Sequence, residues 1–255
     1  MRWHEVVAEL RATRTPGVLV TVASVRGHAP RDAGAKMVVT ADRIWGTIGG
    51  GNLEAVAIER ARSGDAGLLT VNLSEKAPHE HGVQCCGGEV TLLLEPLPVV
   101  PSVAIFGVGH VGLELAHILS RHDLDLHLVD SRPQQHSFGD SLARIVVHEV
   151  PVLPELVFAE LPPGTHVLVM THDHAEDLAL CDAALRTPGL GSIGLIGSTA
   201  KWTRFSERLR ELGHDEAALS RITTPIGDPA MKGKEPAVIA LSVASALLAR
   251  EGARL

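Results

Sequence analysis

Val103-Ala104-Ile105-Phe106 runs straight into Gly107-Val108-Gly109-His110-Val111-Gly112, a G-x-G-x-x-G pattern between a strand-like and a helix-like segment. Few arrangements satisfy it. The first glycine permits a tight turn, the second lets a ligand approach the backbone, and the third lets the helix pack close to the strand. The helix N-terminus then turns its N–H groups and positive dipole end toward a phosphate. Asp130 closes the next apolar run, 23 residues after Gly107, where the acidic residue of a dinucleotide-binding domain contacts ribose hydroxyls. A carboxylate that caps its own loop fits the same position.

The pattern around this motif alternates. Val103–Phe106, Asp125–Val129, Arg144–His148, His166–Met170 and Ser192–Ile196 read as short apolar strands. Helical periodicity lies between them, clearest at His110–Arg121 and Ala175–Arg186, and follows them at Lys201–Leu212 and Glu235–Arg250. Alternating strands and helices imply parallel strands covered on both faces. The first half is different. Trp3–Arg14 reads as an amphipathic helix, Val18–Val25 as a strand, Lys36–Thr40 with Arg43–Gly46 as a hairpin, and Asn52–Arg62 as a helix. Leu68–Leu73 and Glu89–Leu94 add two strands. Pro96 to Pro101 holds three prolines in six residues, and a residue without an N–H cannot donate to a ladder, so this stretch reads as a stiff linker. The expected fold is α/β: a small mixed α/β N-terminal domain over residues 1–97 and a C-terminal Rossmann-like doubly wound parallel sheet over residues 98–255.

Composition narrows the function. Lys+Arg number 23 against 30 Asp+Glu, a formal net charge of −7, which argues against binding nucleic acid through its phosphates. Aromatic residues are 3% and tyrosine is absent, so base-stacking platforms are not expected either. Cys85, Cys86 and Cys181 are too few and odd in number for a disulfide framework and fit a reducing compartment. The start lacks the apolar run of a signal peptide, and the longest apolar helical stretch, Ala237 to Ala249, is too short to span a bilayer. A cytoplasmic protein without membrane contact is expected.

Three special loops crowd the first half. Arg26 to Gly34 is basic and bracketed by glycine, Gly49-Gly50-Gly51 opens a helix, and Gln84-Cys85-Cys86-Gly87-Gly88 sets two thiols before two glycines. Tight turns account for any one of them. Together they suggest a site where backbone amides and Arg31 or Lys36 meet an anionic ligand. Glu54 favours the start of its helix by charge.

These loops carry a resemblance. Gly27-His28-Ala29-Pro30-Arg31, Gly34 with Lys36-Met37, Gly46 through Glu54 and Gln84 through Gly88 resemble the xanthine dehydrogenase accessory protein family of XdhC/CoxI type. So do Ile105 through Gly112, Val129-Asp130-Ser131-Arg132, Met170 through His174 with Asp177, and Ile196-Gly197-Ser198. The likeness spans nearly the whole chain in order. It departs at His28, where family members often carry Ser, and at Pro225 to Pro236, which leaves Lys232 and Lys234 without an assigned role. What the resemblance implies is a dimeric, non-enzymatic carrier of the molybdenum cofactor, a pterin dithiolene with a terminal phosphate. Such a carrier supports sulfuration of the cofactor by a cysteine desulfurase and delivers it to apo xanthine dehydrogenase.

On that reading Cys86 is the metal contact, since a thiolate is a soft ligand and nearby N–H donors lower a thiol's pKa. Gln84 and Gly87 flank it, and the cofactor is expected between the two domains, its phosphate near Gly107, Gly109 and Gly112. His172 and Asp173 follow a strand at the carboxyl edge of the sheet, where ligands of such folds gather. Gly197 and Ser198 either donate to a phosphate or form an ordinary helix cap. Zinc held by His172, His174 and Asp177 is a rival, although the spacing matches no standard zinc signature. An NAD(P)-dependent oxidoreductase resting on the glycine loop and Asp130 is the alternative function, and a nucleotide-sensing module is a third.

Overall fold

The computed structural model describes residues 1–73, 87–132, 137–150 and 153–252. The chain divides into two compact units, Met1–Val100 and Pro101–Leu255.

The first unit is built on an antiparallel sheet of β1 (Gly17–Arg26), β2 (Lys36–Val39), β3 (Ile44–Gly46), β4 (Gly67–Asn72) and β5 (Glu89–Leu97), in the order β3-β2-β1-β5-β4. Side chains alternate across a strand. Val18, Val20 and Val22 of β1 therefore join Met37 and Val39 against Leu53, Ala57 and Ala61 of helix α2 (Gly51–Arg62). Leu19 and Val38 face the other way and meet Val6 and Leu10 of α1 (Trp3–Ala12). Pro96 and Leu97 are not linker. They extend β5 along β1, with Val18 opposite Pro96 and Gly17 opposite Leu97. The ladder tolerates a missing donor there because β4 has already ended, its last pair being Gly67 with Leu94, so the strand has one neighbour.

The second unit carries a six-stranded parallel sheet. Its strands are β6 (Ser102–Phe106), β7 (Asp125–Asp130), β8 (Arg144–Glu149), β9 (His166–Val169), β10 (Ile193–Leu195) and β11 (Ile222–Thr223). The order is β11-β10-β9-β6-β7-β8, which read from β8 is the 3-2-1-4-5-6 order of dinucleotide-binding sheets. Both faces are covered. Val103 and Ile105 pack with α3 (His110–Leu119) and α7 (Pro236–Gly252). Ala104 and Phe106 pack with α4 (His174–Arg186), α5 (Thr199–Glu211) and a 3-10 turn at Pro154–Glu160. That double covering explains why β6, β7 and β9 are buried throughout, and why β6 and β9 read as near-continuous apolar runs while β7 buries Asp125, His127 and Asp130 among its leucines and valine. A short helix α6 (Glu216–Leu219) leads into β11. No helix among the described residues is long and apolar enough to cross a membrane.

Candidate functional site

The topology creates a crevice. From β6 the chain steps one way to β7 and β8, then returns to the other side of β6 for β9 to β11. The carboxyl ends of β6 and β9 are where such a sheet opens for a ligand. A pocket of about 510 Å³ lies there, lined by the glycine loop, Asp130, Arg132, Thr171, His172, Glu176 and Ile196.

The three glycines of the loop have different reasons. Gly107 has φ +96°, and a Cβ on it would stand 2.6 Å from the Met170 carbonyl oxygen. A Cβ on Gly112 would meet the Gly107 carbonyl oxygen at 2.2 Å, so only glycine lets α3 approach β6 this closely. Gly109 is unlike both. It precedes α3 in extended conformation with φ −79°, no side chain caps the helix, and a Cβ there meets nothing within 4 Å. Its lack of a side chain leaves space over the helix end, where first-turn N–H groups lack helical partners.

Asp130 ends β7 and lies almost fully buried. Its Oδ2 accepts from the Val108 N–H at 2.8 Å, and Arg132 grips both oxygens through Nε (2.9 Å) and Nη2 (2.8 Å), while the Arg132 N–H adds a bond at 2.9 Å. Burial by itself raises an acid's pKa; here the Arg132 side chain, followed by the two backbone donors, outweighs it and holds the Asp130 carboxyl below its usual range. Glu176, on the first turn of α4, goes the other way. Burial first, and then the neighbouring Asp177 charge, push its carboxyl up.

Of the remaining candidates of this unit, Asp173, Gly197 and Ser198 are not among the residues that line the pocket. Asp173 caps α4, accepting from the Ala175 and Glu176 N–H groups at 2.6 and 3.2 Å, and these donors hold its carboxyl low. His172 lines the pocket. Ser198 is the cap of α5, accepting from the Lys201 N–H at 3.3 Å. Gly197 makes room for Lys201, whose Cδ would lie 2.6 Å from a Cβ at that position. Lys201 itself carries no signal in the sequence beyond its place in a helix. It is buried, and its Nζ donates to Asp177 Oδ2 at 2.5 Å and to the Ile196 carbonyl at 2.9 Å. Asp177 Oδ1 in turn accepts from the Thr171 N–H and hydroxyl at 3.0 and 2.8 Å. One buried ion pair thus ties together the chain ends that follow β9 and β10. Cys181 is buried behind it, its thiol pushed up to about 12 by burial and by the Asp177 charge. Among the described residues no three His, Cys, Asp or Glu side chains group as metal ligands.

In the first unit the loops converge. A Cβ on Gly49 would strike Pro30 at 2.6 Å and come within 3.5 Å of Arg31, and one on Gly88 would strike the His28 carbonyl at 2.1 Å. Gly49, Gly50 and Gly51 all have positive φ, the turn that only glycine makes cheaply. Of the amides expected to face an anion, that of Gly50 already has one, and that of Gly49 donates to Thr47 Oγ1 at 3.1 Å. Glu54 Oε2 accepts from the Thr47 hydroxyl (2.6 Å), the Gly50 N–H (3.1 Å) and the Ile48 N–H (3.3 Å). Arg31 is exposed beside this turn. Lys36 lies apart from it on the α1 face, bonded to Thr21 Oγ1 at 2.8 Å with its ammonium 5.1 Å from the Trp3 ring centre. Gly87 has φ +69°, while Gln84, Cys85 and Cys86 lie outside the described residues.

Residues 103–247 match the family profile described as XdhC Rossmann domain, and residues 10–71 match that of the XdhC and CoxI family. The chain belongs to the XdhC family. This XdhC-family chain is similar to two Escherichia coli K12 proteins. One is named molybdenum cofactor insertion chaperone PaoD, 27% identical over 265 residues that cover 89% of this chain and 80% of PaoD. The other, uncharacterized protein YqeB, is 26% identical over 256 residues that cover 94% of this chain and 44% of YqeB, so the chain spans less than half of that relative. A crystal structure described as a xanthine dehydrogenase from Bacillus halodurans aligns with a TM-score of 0.49 at 19% identity, covering 100% of this chain and 97% of that one.

Proposed function

We propose that this chain is a carrier of the molybdenum cofactor that supports sulfuration of its cargo and inserts it into apo xanthine dehydrogenase or a related molybdoenzyme. The reading is carried by the pocket at the β6–β9 crevice in a chain that resembles PaoD over 89% of its length. The open ground above Gly109 fits a phosphate-bearing cargo: the terminal phosphate would lie against Gly107, Gly109 and Gly112, with His172 also lining the pocket. The bound cargo supplies a pterin dithiolene that holds molybdenum. Cys86 is the proposed metal contact, with Gln84 and Gly87 beside it. A cytosolic homodimer, served by a cysteine desulfurase, completes the reading. Its acts are binding, shielding and release, so no catalytic residue is assigned.

The test is anaerobic loading of the purified protein with molybdenum cofactor, with NAD as competitor. Gly109→Asp is the informative variant. Its backbone suits any residue and its Cβ meets nothing, so the variant should fold while its carboxylate fills the anion position. Retained molybdenum and pterin are expected in the parent, little in Gly109→Asp, and less in Cys86→Ala. Unchanged retention in Gly109→Asp sinks the phosphate assignment. The strand order favours NAD(P) binding as the second reading, and clear NAD binding without cofactor uptake would move the assignment there.

A further inference from the structure

Asp130 stands at the end of the second strand of the parallel sheet, where a dinucleotide-binding domain places the carboxylate that receives ribose hydroxyls. A carboxylate has about four acceptor positions. Asp130 fills two on each oxygen: Arg132 N–H and Nε on Oδ1, Val108 N–H and Arg132 Nη2 on Oδ2. A ribose diol could enter only by displacing one of these four donors, a backbone amide or a tine of the guanidinium. Displacing a guanidinium tine gives up an ion-paired bond for one from a neutral hydroxyl, and displacing a backbone amide leaves that N–H without its acceptor. The Arg132 side chain is 56% exposed and lines the pocket together with Ser131.

We infer that Arg132 sets the ligand chemistry of this pocket: it selects a phosphate or pyrophosphate group, and Asp130 is a positioning residue that aims the guanidinium and braces the glycine loop instead of reading a ribose. The inference rests on the reading that this pocket receives the phosphorylated end of the cargo, and it names what that end must offer. A planar fork already fixed on one edge by a carboxylate loses little freedom when an anion meets it. The same carboxylate keeps the guanidinium beside Val108, so the loop and the cation move as one piece.

The experiment is calorimetric titration of the full chain at low ionic strength with pyrophosphate, inorganic phosphate and NAD. Pyrophosphate is expected to bind at least as tightly as NAD, because the ribose adds nothing at Asp130. Arg132→Gln, on an exposed side chain, should weaken pyrophosphate about tenfold or more, as loss of a bond to a charged group does, with Arg132→Lys recovering part. Asp130→Asn should weaken pyrophosphate and NAD alike. A carboxylate that read ribose would instead lose NAD affinity and leave pyrophosphate untouched. NAD binding more than tenfold tighter than pyrophosphate and indifferent to Arg132→Gln overturns the inference, as does no pyrophosphate binding at millimolar concentration, where even weak phosphate sites register. Cofactor retention is read separately. Retention with no effect of Arg132→Gln on any probe removes this inference and leaves the carrier reading standing. Pyrophosphate binding without cofactor retention does the reverse.

Discussion

Two carboxylates that line the same pocket are tuned in opposite directions, and each has its own consequence for pH. Asp130 is held low, so its contribution to stability is present above the ordinary value of 3.8 and is lost as pH falls through its folded value. Glu176 is held high by burial and by Asp177, so the fold favours its protonated form. That contribution is complete below the ordinary value of 4.5 and is lost as pH rises through the folded value. At neutral pH an ionised Glu176 therefore opposes both the fold and any anion in the pocket. Glu176→Gln should raise the melting temperature at pH 7, by about 2–4 °C for each kcal/mol recovered, and the gain should vanish below pH 4.5. It should also tighten pyrophosphate at neutral pH. Melting curves across the acid-to-neutral range check the first part, and a gain that persists undiminished in acid would refute it. The spacing of Asp130 from the glycine loop is visible in the sequence. Its saturation by Arg132, two residues on, is not, because a carboxylate that reads a ligand and one that grips its neighbour leave the same letter.

At the scale of elements, the ends of β9 and β10 are joined through α4 and α5 by the buried Lys201–Asp177 pair. Removing one partner of such a pair leaves the other as an uncompensated buried charge. Lys201→Met should cost about 3–5 kcal/mol in urea unfolding. Adding Asp177→Leu should recover only part of it, because Thr171 then loses the acceptor for its N–H and its hydroxyl. Full recovery in the double variant would mean that Asp177 serves Lys201 and not the β9 loop. Long periodic elements are legible: α3, α4, α5 and α7 and the apolar strands of the parallel sheet lie within a few residues of where hydrophobic period puts them. The elements that escape it are short or tertiary in origin. β11 has two residues and α6 four, too few to show a period, and the 3-10 turn at Pro154–Glu160 is set by packing of Val157 and Phe158 into the core. At Pro96 composition marks a breaker but carries no sign that its strand has lost one neighbour. In the candidate site, Gly197 and Ser198 are legible as a strand end opening a helix, but the reason for the glycine is the stem of Lys201, which no local pattern contains.

Among the described residues, each hydrophobic core cluster draws its members from a single unit. Val18, Val20, Met37, Leu53 and Leu92 belong to one core cluster and Leu19, Val38, Val6 and Leu10 to another, all in the first unit. The second unit has its own two, one on each face of the parallel sheet, with Leu115, Leu119, Leu126 and Leu128 on one side and Leu180, Leu195 and Leu209 on the other. A domain with a closed core of its own and about 150 residues buries roughly 70% of the surface its unfolded chain exposes, enough for independent stability. The parallel sheet makes the stronger case: both of its faces are covered by helices from within residues 101–255, so cutting the chain before Pro101 exposes neither face. A fragment of residues 101–255 should therefore unfold cooperatively on heating. It should also keep the pyrophosphate affinity of the full chain within a factor of about three, since Gly109, Asp130 and Arg132 all lie inside it and changes at distant, independent sites add with little coupling. Circular dichroism melts and the same titration decide it. A broad, non-cooperative melt would show that the second core needs the first unit to close. A sharp melt with lost affinity would move part of the anion site onto residues 1–100, where the exposed Arg31 beside the Gly49 turn is the first side chain to replace.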